Sequence, residues 1–153
     1  MKKIAVLLAA CAAAWAQGGF RFRDVSAASV ELSEGGNPVF VYNHGMMLKE
    51  GMKEDRRRAC YVHPVWAPDG TVVTDDFPRD HPHHRGIFWA WPNVKAGGAM
   101  NDLWGIAGIH QKFVRWIEKR AAAKSARLGV ENGWFAGETN VVKETVRIVA
   151  HPA

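Results

Sequence analysis

The sequence predicts an all-β chain folded as an antiparallel β-sandwich, and three observations predict it. Short runs of alternating or apolar residues recur along the chain. Turn clusters such as Gly35-Gly36-Asn37-Pro38 and Ala67-Pro68-Asp69-Gly70 separate them. Only one apolar segment, Ile4 to Ala14, is uninterrupted, and it is too short to span a bilayer. A length of 153 residues suits one domain with its own core, and 48% hydrophobic with 23% charged residues is ordinary for a globular protein.

The N-terminus reads as an export signal over residues 1–16, leaving a single sandwich domain, or the N-terminal part of one, over 17–153. Met1-Lys2-Lys3 is a basic start and Ala14-Trp15-Ala16 is an Ala-x-Ala cleavage pattern. Leu8-Ala9-Ala10-Cys11 also fits a lipoprotein box, with a lipid anchor at Cys11. Cleavage after Ala16 is preferred because the apolar run continues past Cys11. Both readings place the protein outside the cytoplasm, periplasmic or extracellular. No other stretch is apolar enough to form a transmembrane helix.

From Phe20 to Glu34 the chain alternates imperfectly as a strand, and Pro38 to Asn43 returns as its hairpin partner across the glycine turn. Gly45 to Arg58 reads as an irregular connection, with Arg56, Arg57 and Arg58 in a solvated loop rather than a phosphate or nucleic-acid site. The charge agrees: the formal +5 includes Lys2 and Lys3 of the signal, and 18 basic residues then face 15 acidic ones. Cys60 has no partner once Cys11 is set aside, and reads as a buried small apolar residue.

Ala59 to Trp66 is the next strand. Ala67-Pro68-Asp69-Gly70 turns it, and Thr71 to Asp75 returns, placing His63 nearly opposite Thr74. Pro78 and Pro82 keep the following stretch out of any ladder. Ile87 to Trp91 is apolar on both faces and reads as a central strand. Lys95 to Met100 is a glycine loop, and Gln111 to Glu118, Ala126 to Gly137 and Asn140 to Ala150 are three further strands. Asn132-Gly133 is a turn signal inside the second of these, and Lys119 to Ala126 is an alternative short helix.

The chemistry concentrates at Asp80-His81-Pro82-His83-His84-Arg85-Gly86, which holds three of seven histidines. Three readings fit. A histidine near neutrality can act as acid or base on a sugar, with His81, His83, His84 and Arg85 as the catalytic group. Asp80, Trp89, Trp91, Asn101, Asp102 and Trp104 would then bind hydroxyls and stack on sugar rings. Alternatively, His81 and His83 project to one side and, with Asp76, supply the two-histidine, one-carboxylate set of a divalent metal in an oxygenase-type oxidoreductase. In the third reading the histidines cap backbone groups and pair with Asp75, Asp76 and Asp80, leaving a structural or glycan-binding module. His44, His63, His110 and His151, each isolated, read as ordinary packing histidines.

Tyr61-Val62-His63-Pro64, Pro68-Asp69-Gly70 and the run from Thr74 through Arg85-Gly86 to Trp91 resemble a family of exported bacterial proteins often labelled methane oxygenase PmoA, or PmoA-like. The resemblance is strongest over Ala59 to Trp104. The label borrows from a membrane subunit built of transmembrane helices, which nothing here could form, so methane oxidation is not implied. The resemblance implies a carbohydrate-handling sandwich similar in pattern to the aldose-epimerase-like supersandwiches, which is fold-level analogy. Members are usually longer. This implies a truncated member, with any further catalytic carboxylate in a missing second half. The expected ligand is a carbohydrate or another small molecule, not nucleic acid.

Overall fold

The computed structural model describes residues 18–153. The export signal, its cleavage site and Cys11 therefore lie outside the described residues. Among these residues nine strands form three antiparallel sheets. β1 (Phe20–Ser26), β2 (Ser29–Glu34), β3 (Asn37–Asn43) and β4 (Tyr61–Val65) pair in chain order as one sheet. β5 (Val94–Ala96) and β6 (Ala99–Asn101) make a small hairpin. β7 (His110–Ala121), β8 (Ala126–Ala136) and β9 (Thr139–Ala150) make the third sheet. Among the described residues no helix is long and apolar enough to cross a membrane.

The fold is the expected all-β, sandwich-like one, and alternation explains why. Along β2 and β3, Val30, Leu32, Phe40 and Tyr42 point inward, and along β8 Ala126, Leu128 and Val130 do the same. These residues, with Phe20 and Val62, form one buried cluster shared by the two larger sheets. Each large aliphatic or aromatic side chain sealed there contributes roughly 1.5–3 kcal/mol. A smaller cluster of Leu103, Ile109 and Trp134 sits under the β5–β6 hairpin.

The turns follow local chemistry. Gly35 and Gly36 both have positive φ, at 57° and 92°, as the two-residue connection between Glu34 and Asn37 requires. Gly70 donates to the Ala67 carbonyl at 2.9 Å, which closes the expected turn. Behind it, His63 Nδ1 and Thr74 Oγ1 meet at 2.9 Å, the cross-strand neighbours that the turn length predicts.

Four expectations are corrected. The stretch from Phe20 to Glu34 is two strands, because the chain reverses at Ala27-Ala28 and pairs Ser26 with Ser29. Ile87 to Trp91 is not a central strand. Only Ile87 pairs, with Val62, and Ile87, Trp89 and Trp91 stay 59%, 58% and 56% exposed. Gly86 turns the chain in and Pro92 offers no N–H, so the segment crosses the sheet edge rather than joining it. Asn132-Gly133 makes no turn. β8 runs straight through it, and a Cβ at Gly133 would fall 2.5 Å from the Phe135 ring. Finally, Lys119 to Ala126 is not helical: β7 continues to Ala121, and Ala122 donates to Ser125 in a tight reversal.

Candidate functional site

The histidine stretch is a loop built on two successive turns. His81 N–H donates to the Pro78 carbonyl at 3.1 Å, and His84 N–H donates to the His81 carbonyl at 2.9 Å. Phe77 N–H closes the base by donating to the His84 carbonyl at 3.1 Å. The loop docks through Gly86, whose φ is 61°. A Cβ there would lie 2.2 Å from the Val62 carbonyl oxygen, so only glycine lets the loop approach β4 so closely.

Arg85 holds the loop from beneath. It is fully buried. Its Nε donates to Asp76, its Nη2 to the Tyr61 hydroxyl at 2.6 Å, and its Nη1 to the Arg56 carbonyl at 3.2 Å. The guanidinium lies 3.5 Å from the Phe77 ring centroid and 4.6 Å from that of Tyr61. A ligand cannot reach it, so Arg85 positions the loop and does not touch a substrate.

Above this base the three imidazoles gather. His81 and His84 stack with centroids 4.9 Å apart and planes 13° from parallel, and His83 meets His84 edge-on at 4.4 Å. Trp104 abuts His84 at 5.0 Å and His83 at 5.7 Å, and Phe88 closes the wall 5.5 Å from Trp104. Asp80 accepts from His81 Nδ1 at 2.9 Å, which holds its carboxyl below the usual range. Beside the stack, a cleft of about 230 Å³ is lined by Asp75, Pro78, His84, Gly86, Phe88 and Trp104.

Burial favours the neutral form of one imidazole. Desolvation lowers the His83 pKa first, and the nearby His84, His81, Arg56 and Arg58 lower it further. A neutral imidazole can accept a proton or a hydrogen bond at neutral pH. His84 Nε2 is buried without a partner among the described residues.

The structure thus brings together Asp80, His81, His83, His84 and Trp104, and leaves the other expected residues elsewhere. Asn101 is buried and donates to the carbonyls of Val94, Ala96 and Ala99, so it braces the β5–β6 hairpin. Asp102 accepts from the Gly105 N–H at 2.9 Å. Trp91 packs against Trp134 at 5.8 Å, and Trp89 lines a different cavity. Asp76 does not join His81 and His83 as a metal ligand. One of its oxygens faces Arg85 and the other accepts from Tyr61 at 3.3 Å. Among the described residues no three His, Cys, Asp or Glu side chains are placed to hold a metal, so the two-histidine, one-carboxylate set is not assembled.

Sequence reasoning missed Phe88 and Arg58 here and named Asp75 only as a partner of the histidines. Phe88 and Asp75 enter the cleft because the loop folds back over β4. Arg58 is buried rather than solvated: its Nη2 donates to the Leu103 and Trp104 carbonyls at 2.7 and 3.0 Å, and its guanidinium lies 4.6 Å over Phe88. Burial, then the charge of Arg85, lowers its pKa to about 10. It thereby fixes the segment that carries Trp104.

Residues 29–153, which include the whole loop and cleft, match the model of one family. The chain belongs to DUF6807, a family of unknown function. No curated protein and no solved structure matches it. In this DUF6807 chain the matched span begins at β2 and takes in both larger sheets except β1.

Proposed function

We propose that this DUF6807 protein is exported and binds or acts on carbohydrate at the histidine cleft. The observation that carries the reading is the packing of His83 and His84 against Trp104, with His81 stacked on His84 and Phe88 beside it, next to the Asp75 side of the cleft. Aromatic walls suit the C–H face of a sugar ring, and imidazoles and a carboxylate suit its hydroxyls. His84 lines the cleft and His83, whose neutral form burial favours, packs edge-on against it, so this pair is the best placed to meet a sugar hydroxyl. The resemblance to PmoA-like proteins, and through them to carbohydrate-handling supersandwiches, supports the same ligand class. The basic start and Ala-x-Ala pattern of the N-terminus support export.

Sugar titrations followed by calorimetry test the reading, with His81→Ala and His83→Ala beside the parent. The loop lies outside the sheet ladders and the His81 side chain is 53% exposed. Each variant should therefore keep its stability to within about 0.5 kcal/mol. Binding should fall roughly tenfold, the equivalent of about one lost hydrogen bond. Variants that melt well below the parent, yet bind as well per folded molecule, would make the histidines scaffold only.

A further inference from the structure

The two larger sheets and the Ile87-Phe88-Trp89 segment line a second, open-mouthed cavity of about 460 Å³, separate from the histidine cleft but sharing Phe88 with it. Its walls include Val62, Val146 and Ile148, and Trp89 lines it while staying 58% exposed. That volume is within the range of small-molecule sites, roughly 300–1,000 Å³.

One rung of the sandwich interior is polar, and it borders this cavity. On β8 the inward positions run Ala126, Leu128, Val130, Asn132, Trp134. On β9 they run Ala150, Ile148, Val146, Glu144, Val142. Asn132 and Glu144 pair directly across the two strands, where the neighbouring rungs are apolar. Gln111 of β7 stands opposite Trp134, one rung away. Placing an amide, a carboxylate and a second amide there costs desolvation that apolar residues would avoid.

The hydrogen bonds are arranged about a single oxygen. Glu144 Oε2 accepts from Gln111 Nε2 at 2.8 Å, Asn132 Nδ2 at 3.2 Å and Trp134 Nε1 at 3.4 Å. All three donors are 1–2% exposed. Asn132 also donates to the Tyr42 hydroxyl at 3.1 Å, which ties the rung to the opposite sheet. These bonds leave Oε1 as the oxygen that Glu144 can offer to the cavity it lines. A carboxylate held so firmly on one side is pre-organised to accept on the other.

We infer that the Glu144 cavity is a second binding site, which takes one hydroxyl-bearing ring of a sugar. Glu144 Oε1 accepts from a ring hydroxyl, and Trp89 stacks on the C–H face. The ligand class rests on the carbohydrate reading above, whereas the site itself uses none of the histidines.

Indole N–H resonances of the full chain separate the two sites. Trp134 donates to Glu144 and Trp89 lines the Glu144 cavity, while Trp104 belongs to the histidine cleft. Titration with methyl glucopyranoside, methyl galactopyranoside and methyl xylopyranoside should move the Trp89 and Trp134 signals. Glu144→Gln keeps an oxygen for the three donors and turns an N–H towards the cavity, reversing its polarity. It should weaken that response roughly tenfold or more, as loss of a charged hydrogen bond predicts. Trp89→Ala removes only the exposed plate, so it tests the site even if Glu144→Gln folds poorly; it should weaken the Trp134 response as well. Shifts at Trp104 alone would overturn the second site and leave the histidine reading standing. Shifts at Trp89 and Trp134 alone would do the reverse. If an alkylammonium ion moves Trp134 and no glycoside does, the hydroxyl class is wrong; if nothing moves any of them, both readings fall.

Discussion

Arg85 and Arg58 are two buried guanidinium groups under one loop, and they differ in how they are satisfied. Arg85 meets a carboxylate, a phenol and two backbone carbonyls, with the Phe77 and Tyr61 rings against its guanidinium. Arg58 relies on two backbone carbonyls and one ring, and its Nε and Nη1 have no partner among the described residues. Removing Arg85 would strand the Asp76 carboxylate, so Arg85→Ala should cost about 3–5 kcal/mol in denaturant unfolding. Arg85→Lys should recover little of it, because a lysine has neither the fork nor the flat face that Phe77 and Tyr61 contact. The histidines set the pH response. Burial lowers His44, His63, His83 and His110 from the usual 6.5. Each therefore binds fewer protons folded than unfolded. Stability from these groups is complete above the unfolded value and is lost as pH falls through and below it. Thermal melts should show a lower Tm at about pH 5.5 than at about pH 7.5, and His63→Gln should flatten that slope. An unchanged or rising Tm on acidification over that window would contradict the assignment.

At the scale of elements, the loop depends on one glycine and one close approach. Gly86→Ala would impose a left-handed conformation on alanine and drive its Cβ into the Val62 carbonyl. Left-handed backbone costs about 1–2 kcal/mol and overpacking about 1–3 kcal/mol, so a loss on the order of 2–5 kcal/mol is expected, measured by chemical denaturation. Because Val62 and Ile87 pair β4 with the end of this loop, the variant should also lose order in the histidine loop, visible as increased amide exchange from Asp76 to Ile87. This element was partly legible in the sequence. The prolines, the Pro-Asp-Gly turn and the opposition of His63 to Thr74 are local facts, and local chemistry decides them. Ile87 to Trp91 was not legible, because apolarity on both faces describes a buried strand and an exposed aromatic crossing equally well. Asn132-Gly133 misled for a related reason: the pair favours a turn in isolation, but Asn132 is captured by Tyr42 and Glu144 from other strands. Arg58 and Glu144 escaped notice because their partners come from positions far along the chain, and no spacing rule encodes them.

For the whole molecule, the question is whether the two larger sheets fold as one unit. Val30, Leu32 and Tyr42 of the first sheet share a buried cluster with Leu128 and Val130 of the second. Polar links also cross between them: Phe20 N–H donates to the Ala122 carbonyl at 3.1 Å, Tyr42 bonds to Asn132, and Lys119 donates to Asp24 at 3.4 Å. Hydrophobic contact is not directional, so a defect on one side removes surface from the other as well. Leu128 is 2% exposed and sits in the middle of this cluster. Leu128→Ala should therefore cost about 2–5 kcal/mol, the usual range for a cavity left in a packed core. The loss should spread across both sheets. In native-state hydrogen exchange, amides of β2 and β3 should lose protection together with those of β8, although residue 128 touches no backbone bond of the first sheet. If instead only β7, β8 and β9 lose protection while β1 to β4 keep theirs, the sheets open as separate units. The Glu144 cavity between them would then be a gap between two bodies rather than part of one sandwich.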